Sequence, residues 1–264
     1  MDSFQLFEFL PLWVTFLGTL SIVLISIWSG LYFSRKRKKP DDEAAVGTVV
    51  NATLGLLAFI LAFTFGITSN RFDSRKQALL DEIAAIETTA KRADLIPESH
   101  RMEVRDLIKG YIELRMSIPQ NRDELRDRIR QAEDIQRRLW SHAAALTDAD
   151  LKNADIVSLF VDSLNEMMNF QTRRITITSY HIPMLIWVVL FGITSISMCQ
   201  VGYLFGKSSS VNWLLIVALS LAFSGVMILI IDLDRSGVTT RGTIQVNQQP
   251  MKDLYNRLYG DAPQ

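Results

Sequence analysis

The chain has 264 residues, with 28 basic and 28 acidic side chains, so its formal charge is zero and no global field points to nucleic acid. Apolar residues make up 48% of it and the mean hydropathy is slightly positive, which is too apolar for most water-soluble domains. A single cysteine, Cys199, excludes an intrachain disulfide, and His100, His142 and His181 have no Cys or His at metal-ligand spacing.

About 30 Å of hydrocarbon requires about 20 consecutive apolar residues of helix. Four runs meet that length: Leu10–Phe33, Thr48–Asn70, Pro183–Phe205 and Trp213–Ile231. The first is too long for a signal-peptide core, and the bulky residues near its end do not fit a cleavage site. None of the apolar stretches contains Asp, Glu, Lys or Arg, so no proton relay or ion pair is expected at mid-membrane. Trp13, Trp28, Trp187 and Trp213 lie near the ends of the runs, where interfacial aromatics concentrate.

Polar helical sequence fills the gap between the second and third runs. Leu79, Leu80, Ile83, Ile86 and Ala90 recur at helical steps, Pro97 interrupts them, and Val104, Leu107, Ile108, Tyr111 and Leu114 resume the pattern until Pro119. Asn121 and Glu124 form a capping-box pattern that opens a helix from Leu125 to about Ala145. Thr147 and Asp150 suggest the start of another, whose apolar face holds Ile156, Leu159, Phe160, Leu164 and Met167. No Gly or Ser linker separates Asn70 from Arg71, so the second run is expected to continue as one helix to about Asp94. The last soluble helix is expected to feed the third run in the same way. In the tail, Ile244–Val246 suggests a short strand, and Pro250 starts an amphipathic helix with Leu254, Tyr255 and Leu258 on one face.

These elements predict an all-α integral membrane protein: four transmembrane helices with an inserted helical-bundle domain. The expected divisions are residues 1–70, 71–180, 181–231 and 232–264, namely a membrane pair, the bundle, a second pair and a tail. The run Arg35-Lys36-Arg37-Lys38-Lys39 after the first span places residues 34–47 in the cytoplasm and the bundle outside. Arg71, Arg75, Lys76, Arg173, Arg174 and Arg235 crowd the opposite side and weigh against that orientation.

On a helical wheel at about 100° per residue, the second span has three faces. Ala52, Gly55, Ala58, Ala62 and Gly66 make a small-residue stripe suited to close packing in lipid. Leu56, Phe59, Phe63 and Ile67 make a hydrophobic ridge, which around an axis would form a constriction that gates by dewetting. Thr53, Leu57, Ile60, Thr64 and Thr68 make a weakly polar face that offers an alternative pore lining. Arg71, Asp73 and Arg75 form a charged collar, and Arg71, Arg75 and Lys76 are able to concentrate anions at a pore mouth, or to anchor the helix by snorkelling. Glu82 is expected to pair with Arg71, Arg75 or Arg92 between subunits, and Asp232, Asp234 and Arg235 with the collar. No nucleophile–base pair, phosphate loop or metal motif marks an enzyme, and no cofactor is expected.

Several segments together carry a family resemblance. They are Leu54–Gly66, Asn70-Arg71-Phe72-Asp73-Ser74-Arg75, Asp81–Thr89, Arg92–Pro97, Tyr111–Arg115, Ile182–Trp187, and Asp232–Arg235 with Gly242 and Gln249-Pro250. In that order they resemble the bacterial bestrophin-like membrane proteins, named for similarity to bestrophins, the pentameric anion channels. The resemblance implies a homo-oligomeric channel in a bacterial inner membrane, with the second span lining the pore and small ions as the cargo. It also implies a bundle in the cytoplasm, opposite to the charge reading, and the sequence leaves both orientations open. The competing function is a non-conducting sensor or scaffold whose bundle binds a partner.

Overall fold

The structure is a computed structural model that describes residues 10–37, 43–117, 122–149, 154–207, 212–236 and 243–260. The first apolar run becomes α1 (Leu12–Lys36), which starts after Pro11 and carries Arg35 and Lys36 in its last turn, where they complement the helix dipole. α2 (Glu43–Ala93) is one uninterrupted helix of 51 residues, apolar at first and amphipathic after Asn70. Pro97 separates it from α3 (Glu98–Met116) and caps that helix, because a proline at this position lacks only a donor that no helical carbonyl would accept. α4 (Arg122–Ala149) and α5 (Ala154–Ser179) complete the polar insertion. α6 (Met184–Lys207) and α7 (Trp213–Arg235) are the remaining apolar helices, and α8 (Gln249–Tyr259) closes the described chain. The four apolar helices are long enough to cross a bilayer. The protein is an all-α multi-pass membrane protein with a helical insertion.

Three local expectations change. Thr147 does not open a helix: it lies inside α4 and its hydroxyl donates to Ala144 O at 2.7 Å, while Asp150 is outside the described residues. Ile244–Val246 belongs to no strand, and no strand occurs among the described residues. α5 does not run unbroken into α6: residues 180–183 are non-helical, as expected for chain entering Pro183. The Ile182 N–H, left without a helical acceptor, donates to Asp234 Oδ1 at 3.2 Å.

The contacts divide the chain into two units, residues 1–70 with 181–235, and residues 71–180 with 236–264. In the first, α1, α6, α7 and the apolar part of α2 bury Val23, Ile27, Leu57, Leu190, Met198 and Met227. Trp187 is in this core, with 8% of its surface exposed, whereas Trp13, Trp28 and Trp213 are 60–66% exposed and free to sit at an interface. In the second, α3, α4, α5 and α8 pack with the polar part of α2 around Ile86, Ile108, Tyr111, Leu139, Phe160 and Leu254. Leu80 and Leu159 match the helical pattern but point outward.

Candidate functional site

The membrane part of α2 treats its three faces differently. Leu57, Thr64 and Thr68 are 0–1% exposed, turned into the protomer's own membrane unit. Thr53 is half-buried and its hydroxyl donates to Gln200 Oε1 of α6, while Ser197 reaches Thr53 O at 3.5 Å. Thr64 donates to Ile60 O at 2.7 Å and Thr68 to Thr64 O at 3.1 Å. The Thr64 and Thr68 hydroxyls are therefore satisfied by their own helix, which is why threonine can be buried here at little cost. Of the alternative pore face, Thr64 and Thr68 are buried within the protomer, while Thr53 and Ile60 are half-buried. Leu56, Phe59 and Phe63 are 50%, 68% and 64% exposed, and Ile67 is half-buried. The neighbouring Ala52, Gly55, Ala58 and Ala62 are also exposed, and a Cβ added at Gly55 or Gly66 meets nothing within 4 Å.

The collar is not uniformly open. Asp73 is exposed and Arg71 half-buried, but Arg75 is only 3% exposed. Its Nη1 donates to Ser236 Oγ and its Nη2 to Tyr180 O, both at 3.0 Å. These bonds commit the guanidinium to Tyr180 and Ser236 of the same unit. At the end of α7, Asp232 and Asp234 are buried, and Asp234 receives the Ile182 N–H. Arg235 donates to Leu10 O at 3.0 Å and Thr15 Oγ1 at 3.4 Å.

Glu82 has the most developed surroundings. It is fully buried on α2, at 0% exposure. Its Oε2 accepts from Arg115 Nη2 at 3.1 Å and from Arg174 Nη1 at 2.5 Å. Arg115 Nε lies 2.9 Å from Oε1, which also accepts the Tyr111 hydroxyl at 2.8 Å. The expected partners Arg71, Arg75 and Arg92 are thus replaced by arginines of α3 and α5 of the same chain. Asp81 and Glu87 are likewise satisfied within the chain, by Arg173 at 3.3 Å and by Lys91 and Arg257 at 2.8 and 3.1 Å. Burial pushes the Glu82 carboxyl up, but the Arg115 and Arg174 charges outweigh it and hold the group below its ordinary value. Burial and the Glu82 charge push the Tyr111 hydroxyl well above its own.

Tyr111 has one proton but lies 2.8 Å from Glu82 Oε1 and 2.7 Å from Gln171 Oε1. The charged acceptor takes the proton. Gln171 Oε1 is satisfied instead by the Gln136 amide, whose Nε2 donates to it at 2.6 Å. Arg174 Nη2 continues the chain to Gln248 Oε1 at 3.0 Å, beside the start of α8. One carboxylate therefore ties α2, α3, α5 and the tail together. Tyr111→Phe is expected to cost about 1.5–3 kcal/mol, the range for a hydrogen bond to a charged group, read as a lowered thermal midpoint of the full chain in detergent. No change in midpoint would show that the hydroxyl contributes nothing to the network.

The model of the Bestrophin-like domain matches residues 17–251. This chain belongs to the bestrophin-like family. A crystal structure of a membrane protein superposes with a TM-score of 0.65 at 13% identity, covering 94% of this chain and 95% of that one. At that identity the likeness shows the shared fold. Among curated proteins, none matches the chain.

In this bestrophin-like chain the fold also brings together residues that sequence spacing kept apart. His100 Nδ1 on α3 is 3.0 Å from His142 Nδ1 on α4, so one ring must donate and the other accept. Glu103 lies 3.4 Å from His142 Nε2 and 3.3 Å from Arg138. No group of three or more metal-ligating side chains forms among the described residues. Tyr111 and Arg115 share one face of α3 at a spacing of four residues, which was the available signal for the Glu82 site. The arginine and glutamine on α5 carried no local signal for it.

Proposed function

We propose that the chain is the subunit of a homo-oligomeric channel in a bacterial inner membrane, conducting small anions, with α2 around the axis. The observation that carries this reading is the uncovered face of α2: Phe59 and Phe63 are more than 60% exposed. Leu56 and Ile67 extend the ridge by one turn each way, and the small residues beside it leave room for a neighbouring copy's backbone. Family membership supports a channel-type protein, and the anion assignment rests on the resemblance to bestrophins. Rings of Phe59 and Phe63 would make a dry constriction, open to ions only when the helices spread. α2 is continuous from Glu43 to Ala93, through both its apolar and its polar part. The Glu82 network holds its polar end.

Full-length protein in liposomes is expected to pass chloride, and Phe63→Ala is expected to raise that leak several-fold while the oligomer stays intact. Correctly assembled oligomers without flux would sink the channel reading and favour a scaffold. Flux that Phe63→Ala leaves unchanged would move the constriction off this face.

A further inference from the structure

At the end of the membrane unit where α1 and α6 finish, an apolar groove of about 300 Å³ lies between α2 and α6. Ala45, Val46, Val49 and Val50 form one wall, and Gln200 and Tyr203 the other. The accessible surface inside it is apolar. Its volume is at the lower end for small-molecule sites, too small for a whole phospholipid but of the right order for part of one acyl chain. The groove alone says only that lipid tails would be welcome there. The charge beside it says which lipid.

Tyr203 forms a groove wall, and Lys207 Nζ lies 5.6 Å from the centre of its ring. One turn away, Gly206 abuts Ser34: an added Cβ there would come within 2.6 Å of the Ser34 Cβ. That contact brings the end of α6 beside the end of α1, which carries Arg35 and Lys36 in its last turn. Lys36 Nζ lies 5.8 Å from the Tyr32 ring. An exposed tyrosine and long basic side chains at helix ends are the groups that work at headgroup depth, with carbon stems in the apolar layer and charges in the polar one.

We propose that this groove holds an acyl chain of an anionic phospholipid whose phosphate group sits among Arg35, Lys36 and Lys207. A zwitterionic lipid with the same chains would gain the groove but lose the net attraction. A soluble phosphate ester would gain the charges but not the groove. The site does not depend on conduction, so its failure and that of the channel reading are separable.

The test is lipid retention by the purified full-length protein in native mass spectrometry, with size-exclusion chromatography on the same samples. The probes are phosphatidylglycerol, phosphatidylcholine of the same chains, and glycerol 3-phosphate. Phosphatidylglycerol is expected to be retained over phosphatidylcholine, and retention to fall about five-fold for each of Arg35→Gln, Lys36→Gln and Lys207→Gln. Val49→Trp, which fills the groove from an exposed position, is expected to reduce retention of both lipids. Equal retention of the two lipids would overturn the proposal, because annular packing would explain it. So would binding of glycerol 3-phosphate alone at the same strength, or a Val49→Trp variant that retains lipid normally. A Val49→Trp variant that changes only the oligomeric state would assign the groove to a second copy of the chain and also overturn it.

Discussion

Glu82→Gln is expected to destabilise the helical insertion by about 3–5 kcal/mol, the cost of breaking a buried ion pair from one side. Glu82 is fully buried, and the Arg115 and Arg174 side chains are only 13% and 17% exposed. Removing the carboxylate leaves two nearly buried cations facing each other with no anion between them. Glutamine also turns an NH2 group toward guanidinium donors, so it cannot accept on both sides. A domain stability of about 5–15 kcal/mol would be left marginal. The measurement is amide exchange of the full chain in detergent: protection in α3 and α5 should fall together, with the apolar helices less affected. Asp81→Asn is the control, since its pair with Arg173 is 22% and 56% exposed and such pairs contribute at most about 1 kcal/mol. If Glu82→Gln behaved like Asp81→Asn, the network would not hold the insertion together.

The same pair sets the sign of a pH dependence. Glu82 titrates below its ordinary value in the folded chain because the two arginines outweigh burial. A group with a depressed folded pKa contributes its full stability above the unfolded value of about 4.3. That contribution is lost as the pH falls through the lower folded value. The wild-type insertion should therefore lose stability toward acid in that window, and Glu82→Gln should lose less over the same range because it has already lost the contribution. Parallel acid limbs would show that other carboxylates dominate.

What the sequence disclosed follows from which signals are local. Four helices long enough to span a bilayer can be counted from hydropathy alone, because length and apolarity are properties of one segment. The continuity of α2 through Asn70 and Arg71 was visible for the same reason: nothing there breaks a helix. The faces of α2 were equally visible as patterns, but which face the protomer covers depends on α6. Thr64 and Phe63 are adjacent in sequence and opposite in fate. Glu82 announced a charge on an apolar stretch, yet its partners come from α3 and α5, and no spacing rule links residue 82 to residue 174. The His100–His142 contact is of the same kind. One missed signal was local. Gly202 and Gly206 in α6, and Gly30 and Ser34 in α1, are pairs of small residues four apart, the spacing that lets membrane helices approach closely.

Gly202→Val is expected to disrupt the α1–α6 pair and with it the membrane unit. A Cβ at Gly202 would lie 2.0 Å from Ile27 O, and one at Gly30 only 1.9 Å from Cys199 O. Both obstructions are backbone, which cannot rotate away as a side chain can. The helices would have to separate by on the order of an ångström, opening gaps around Ile27 and Met198, which are 2% and 0% exposed. Overpacking in a tight core costs about 1–3 kcal/mol and occasionally more, and two methyls against backbone belong at the upper end. Gly202→Ala should show the smaller part of the effect, and adding Gly30→Ala should cost less than the sum of the two, since the first substitution has already parted the helices. Gly55→Ala, where an added Cβ meets nothing within 4 Å, is the matched control for an α2 glycine. It should leave the thermal midpoint of the dissociated protomer unchanged. If α2 packs around an axis, it should alter assembly instead, so the two glycines separate folding from association in one experiment. A Gly202→Val protein with a wild-type midpoint would mean that the α1–α6 contact is not as close as the backbone places it.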